Sequence, residues 1–197
     1  PYGLKGRFTP LIERALRLEV DERIDADGSV LVPLDEAQVE AAARTLIVYR
    51  QNRYCPQTSF LPERYQRLIA DVPGVVSVLP VKVFLSNCRA SLDIVVFQGA
   101  PPGELLRARD LEVIAGDVAR FEKESDAALV GREFATRRNL APGDRFRFGG
   151  IDVNVAGVFR SSEPVEEGVV LTHLEFLQRA GPVDRLGTVP QFEVKID

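Results

Sequence analysis

Residues 127–159, AALVGREFATRRNLAPGDRFRFGGIDVNVAGVF, decide the fold of this chain. They read as a strand, a short helix, a Pro-Gly turn and a tight hairpin. Gly149 and Gly150 supply the two positive-φ positions that a two-residue turn requires. The turn sets Phe148 opposite Ile151 and Phe146 opposite Val153 on one face. On the other face Arg147 stands opposite Asp152 and Arg145 opposite Asn154. One face is apolar and the other polar with opposed charges, which pins the register.

C-terminal to this block, 161–167 is a polar loop, 168–172 a strand, 174–179 a short helix and 191–196 a closing strand. The closing strand alternates at Phe192, Val194 and Ile196. N-terminal to the block, 104–125 carries dense charge and reads as irregular with a short helical turn. Pro101-Pro102-Gly103 marks a boundary. Further back come strands at 45–49 (TLIVY), 75–79, 81–85 and 92–97, the middle two separated at Pro80. A helix opening at Pro62 places Tyr65, Leu68, Ile69 and Val72 at helical spacing, and Pro73-Gly74 ends it. Strands that are continuously apolar, with helix between them, imply a sheet covered on at least one face. Residues 1–44 read as two helices, one starting at Thr9-Pro10 and one capped by Asp35 and Gln38.

The 197 residues are 45% hydrophobic and 27% charged, an ordinary globular profile with enough length for a substantial core. A net charge of −4 argues against non-specific binding to nucleic acid. The Arg145-Phe146-Arg147-Phe148 run does not reverse this, because alternate strand residues face opposite ways and the Phe pair feeds the core. No apolar run reaches membrane-spanning length. The sequence contains no Met, which reads as an excised or processed piece.

Motifs of catalysis are missing from the sequence: no phosphate-binding GK[ST], no G-x-S-x-G and no H-E-x-x-H. With one His and two Cys, a four-ligand Cys/His zinc site cannot be assembled. His173, between a strand and a helix, reads as a capping or surface residue. Glu122, Glu124 and Asp126 read as a solvated cluster. Accordingly no catalytic, cofactor or metal residue is assigned. Cys55 and Cys88 each follow a strand in a strand–helix–strand unit, so they are either a disulfide or two free thiols. A bond closing so long a loop would contribute roughly 3–4 kcal/mol.

The order of these pieces resembles the extracytoplasmic, periplasmic core domain of MacB/FtsX/LolC-type ABC transporter permeases. The resemblance is carried by Leu61-Pro62-Glu63, by Val72-Pro73-Gly74-Val75-Val76-Ser77-Val78-Leu79-Pro80, and by Ala128-Leu129-Val130-Gly131-Arg132-Glu133-Phe134-Ala135. Leu140-Ala141-Pro142-Gly143-Asp144, residues 149–159, Glu167-Gly168-Val169-Val170-Leu171 and Phe192-Glu193-Val194-Lys195 complete it. It spans about residues 45–197, and residues 1–44 have no placed counterpart.

The family implies an α+β fold: a porter-like α/β subdomain from 45–93 and 163–197, with a small β-rich subdomain, 94–162, inserted between. It implies a location on the extracytoplasmic side of a bacterial inner membrane, as part of an integral membrane protein. It also implies a cytoplasmic ATPase subunit reached through transmembrane helices outside this sequence, a second permease copy or paralogue, and an extracytoplasmic protein partner. The domain itself would hold no cofactor and perform no catalysis. It would transmit motion from ATP hydrolysis to partners or substrates outside the membrane. That setting favours the Cys55–Cys88 bond. Gln98, Gly103, Ser161 and Glu167 bound the expected hinges, and Glu163, Glu166 and Glu167 are the expected partner contacts. The loops 117–126 and 160–167 are where such contacts are expected. Alternative readings are a free-standing extracytoplasmic ligand-binding module and, less favoured, a hydrolase using His173 with Ser161, Ser162 or Asp184.

Overall fold

Every residue of the strand Ala127–Gly131 is buried, which places it inside a sheet covered on both faces. The structure is a computed structural model. It describes residues 44–197 apart from 52, 54–57, 88–93 and 182. The expected helices of 1–44 and both cysteines, Cys55 and Cys88, lie outside the described residues.

The strands are β1 (Thr45–Tyr49), β2 (Leu61–Pro62), β3 (Val75–Asn87), β4 (Ile94–Ala100), β5 (Leu111–Gly116), β6 (Ala127–Gly131), β7 (Arg145–Phe148), β8 (Ile151–Ser161), β9 (Val170–His173), β10 (Thr188–Val189) and β11 (Gln191–Ile196). The helices are α1 (Tyr65–Ala70), α2 (Pro102–Ala108), α3 (Val118–Lys123), α4 (Arg132–Arg138) and α5 (Leu174–Arg179). The main sheet runs β1-β11-β3-β4-β9-β6-β8-β5, with β7 on β8, and β2 pairs with β10 separately. Pairing is mixed: β4 with β9 and β6 with β8 are parallel, and the other pairs are antiparallel. With the five helices this is an α+β fold.

β3 organises the whole. Its residues 75–81 pair with β11, and 82–87 pair with β4. One strand therefore carries a small three-strand sheet at its first half and the large sheet at its second. Two strands separated at Pro80 were expected. Pro80 instead sits within one strand opposite Phe192, where its missing N–H removes no bond from the β11 ladder.

The large sheet separates two apolar layers. Val95, Phe97, Val130, Val155 and Val170 face Phe134, Phe146 and Leu177. Leu129, Leu171, Ala156 and Phe159 face Leu105 of α2 and Phe121 of α3. A third cluster, with Ile69, Leu174, Val189, Phe192 and Val194, covers one side of the small sheet. α5 belongs to both neighbourhoods, placing Leu174 in the third cluster and Leu177 in the first.

The hairpin forms in the register read from the sequence, Phe148 with Ile151 through Arg145 with Asn154, around Gly149 (φ 60°) and Gly150 (φ 84°). Its charges connect diagonally: Arg145 Nε donates to Asp152 Oδ1 at 2.7 Å, while Asn154 donates to Asp126 at 2.7 Å. Segment 104–125 is not irregular. Pro101 and Pro102 open α2, with Leu105 N–H bonding the Pro101 carbonyl. β5 follows as an edge strand and α3 is capped by Asp117. Charge density hid these elements because β5 and α3 each show solvent one face. Leu68, expected on the inner stripe of α1, is 47% exposed because that helix buries only Ile69 fully.

Candidate functional site: the junction of the two sheets

Lys82 stands in the apolar run VLPVKVFL at the point where β3 passes from one sheet to the other. It is 8% exposed. Burial, followed by the charge of Arg185, holds its ammonium below the usual lysine range, and Glu63 offsets part of this. Its Nζ donates to the Thr188 carbonyl at 3.5 Å. Gln178 of α5 donates to Glu63 and, at 3.4 Å, to the same Thr188 carbonyl. A polar plug therefore sits between the first and third apolar clusters.

The opposite side of the junction is held by Arg109, just after α2. Arg109 Nη2 donates to Glu193 Oε1 at 2.6 Å and Nε to Glu193 Oε2 at 3.2 Å. Nε also lies 3.4 Å from Glu166 Oε1. The fork geometry suits guanidinium and carboxylate planes. Glu193 belongs to β11 in the small sheet, while Arg109 connects α2 to β5 of the large one. One side chain thus clasps both sheets and the turn at Glu166–Gly168.

That turn is stapled in its own right. Ser161 Oγ donates to Glu166 at 2.6 Å and accepts from Glu163 N–H at 3.1 Å. Glu167 is buried, accepts from Ser161 N–H at 3.3 Å and pairs with Arg132 at 2.9 Å. Gly131 makes this possible, since a Cβ there would lie 2.3 Å from the Glu167 carbonyl oxygen.

These positions revise the residue assignments made from sequence. Glu167 turns inward and presents no carboxylate to a partner, because Arg132 and Ser161 hold it. Glu166 faces Arg109 and Ser161, whereas Glu163 is exposed. Gln98 is paired on both sides within β4, and Gly103 lies in α2, so the chain does not cross there as a loop. Likewise 117–126 is mostly helix, with Phe121 fully buried. The strands also cross the expected boundary at 162/163, for β9 lies between β4 and β6. Lys82, Gln178, Arg109 and Glu193 were not singled out. A lone Lys inside a β-branched run was the visible signal for the first of them.

Chemistry at the junction is that of a clasp. His173 Nε2 donates to the Phe121 carbonyl at 2.5 Å and its ring meets Phe121 edge-on at 5.2 Å. It is thereby committed away from Ser161, whose hydroxyl serves Glu166. Among the described residues no group of three or more His, Cys, Asp and Glu side chains is placed to hold a metal. No helix among them is long and apolar enough to cross a membrane.

A search of curated proteins finds no match. Two solved structures share the fold. The extracellular domain of the noncanonic ABC-type transporter YknZ from Gram-positive bacteria aligns at a TM-score of 0.55 and 16% identity, over 78% of this chain and 83% of that one. The periplasmic region of MacB from Actinobacillus actinomycetemcomitans aligns at 0.56 and 13% identity, over 82% of this chain and 78% of that one. The sequence itself matches the MacB-like periplasmic core domain over residues 28–196. The chain therefore belongs to the MacB-like periplasmic core domain family and is an extracytoplasmic domain of a MacB-like ABC transporter.

Proposed function

We propose that this domain is a stiff relay, carrying motion that originates in cytoplasmic ATP hydrolysis to a partner or substrate outside the membrane. The observation that carries the reading is the sharing of β3 between two sheets, reinforced by the Arg109 clasp. Force applied near Arg44 and Ile196, whose backbones are hydrogen-bonded at 2.9 Å, enters the small sheet through β1 and β11. It passes along β3 without crossing a loop. The relay works with an ATPase subunit, with a second permease copy or paralogue, and with an extracytoplasmic protein that meets the exposed Glu163. In this reading 161–167 braces the domain, and bending is displaced to its flanks.

The test is made in the intact transporter. Removing the brace with Ser161→Ala and Glu166→Ala should leave ATP hydrolysis running while transport falls. Unchanged transport, with circular dichroism showing a folded domain, overturns the reading. Glu163→Arg separately tests the outward contact and should weaken partner binding without altering thermal stability.

A further inference from the structure

We propose that the Arg109 clasp is a two-position latch: when Glu193 of the small sheet is drawn away, the guanidinium reseats on Glu166 of the large-sheet turn, and the sheets part without a bare charge between them. The latch is a property of the domain alone. It is tested without the transporter, so its failure leaves the relay standing.

The first seat is strong but incomplete. Arg109 Nε and Nη2 both face Glu193, at 3.2 Å and 2.6 Å. Nη1 is buried and, among the described residues, meets no acceptor. A buried donor without a partner weakens the seat it belongs to, so Glu193 does not use all that the guanidinium offers.

The second seat is built in advance. Glu166 Oε2 accepts from Ser161 Oγ at 2.6 Å, which pins the carboxylate and leaves Oε1 toward Arg109. That oxygen lies 3.4 Å from Arg109 Nε, already at ion-pair distance. Ser161 Oγ is held in turn by the Glu163 N–H at 3.1 Å. The Arg109 backbone is tied on both sides, its N–H to the Leu105 carbonyl at 3.0 Å and its carbonyl to the Leu111 N–H at 3.1 Å. Turning the end of the side chain is therefore the movement open to it.

Glu193 is also provided for once Arg109 leaves. Gln191 precedes it by two positions on β11, so strand alternation puts both side chains on one face. Gln191 is buried, and its Nε2 donates to Glu193 Oε1 at 3.5 Å. Breaking a buried pair outright leaves an uncompensated charge, which is costly, whereas a handover from one carboxylate to another keeps the guanidinium paired throughout. The two seats differ in what they join. Glu193 lies in the small sheet, and Glu166 lies in the turn between β8 and β9 of the large one. The first seat ties the sheets together and the second does not, while β3 runs through both sheets in either case.

The experiment measures solvent exchange of the Arg109 Nε–H by NMR in the full chain, the signal being assigned by its loss in Arg109→Lys. Glu193→Leu withdraws the first seat and Glu166→Ala the second. Each single variant should keep the exchange rate within about twofold of wild type, and the two together should raise it about tenfold or more, since a hydrogen bond to a charged group is then lost. Protection of the Leu129 amide, inside β6, reports that each variant is folded. Should the pair fail to fold, Glu193→Leu with Ser161→Ala takes its place: unpinning Glu166 should also raise the rate above that of Glu193→Leu alone. Either of two results overturns the proposal. One is a Glu193→Leu variant that by itself exchanges as fast as the pair, which means a clasp with one seat. The other is a pair no faster than Glu193→Leu, which means that Glu166 does not receive the guanidinium.

Discussion

Replacing Arg109 by Met removes the clasp while keeping most of the side chain's apolar bulk. Arg109 is 8% exposed, and its partners Glu166 and Glu193 are 21% and 17% exposed. Breaking a buried pair from one side costs about 3–5 kcal/mol, because the surviving charge loses its compensation. Both carboxylates keep some contact with water, which moves the expectation to about 2–4 kcal/mol. In urea, with a slope of about 2 kcal/mol/M, the unfolding midpoint should fall by about 1–2 M. The slope itself should not change. Adding Glu193→Leu to Arg109→Met should recover more than half of the loss, since an apolar pair of similar bulk replaces a broken ionic one. Two results refute this reasoning: a midpoint shift below about 0.5 M for Arg109→Met, or a double variant no more stable than the single.

Other perturbations probe neighbouring features. Gly131→Ala forces a Cβ against the Glu167 backbone and should lose about 1–3 kcal/mol, a drop of several degrees in Tm, while Gly168→Ala, with open space around it, should change little. Lys82→Met should raise Tm at pH 7 by about 2–4 °C, because it removes a buried charge. Since the folded pKa of Lys82 lies below its unfolded value, wild-type stability grows as pH rises through the folded pKa toward about 10.4, and the advantage of the variant should shrink there. Asp152 accepts from Arg145 and Arg147, which hold its carboxyl below the usual carboxylate range. Its contribution is therefore present above about pH 4 and lost as pH falls through the lowered folded value. Asp152→Asn should show a slightly lower Tm at pH 7, a difference that disappears in strong acid and shrinks in 1 M salt.

Legibility of the fold in sequence followed how local each signal was. The hairpin was fully readable because two glycines and a period-2 alternation lie within ten positions. Helix 174–179 and strand 191–196 were readable for the same reason. Segment 104–125 was not, because β5 and α3 are short elements that bury one side only, and the exposed Ile114 breaks the polar–apolar alternation that would have marked β5. Pro80 misled because a proline in a strand ordinarily marks an end. Here its missing N–H falls at a non-bonded position, which is knowable only once β11 is in place. The clasp was invisible for a related reason: Arg109, Glu166 and Glu193 are far apart in sequence and share no spacing rule. Glutamates 163, 166 and 167 look alike in a polar loop, yet one faces solvent and another is buried, as the folding of Arg132 and Ser161 around them dictates.

The order of strands has a consequence for biogenesis. β9, which reaches only to residue 173, separates β4 from β6, and β11, ending at 196, separates β1 from β3. A polypeptide emerging from a ribosome or translocon therefore exposes open seams in both sheets until residues 170–196 arrive. Closure of both sheets must wait for that segment, and the halves close in one late step with long loops already tethered. A chain broken before residue 170 would leave two unfinished sheets, each an invitation to mispairing.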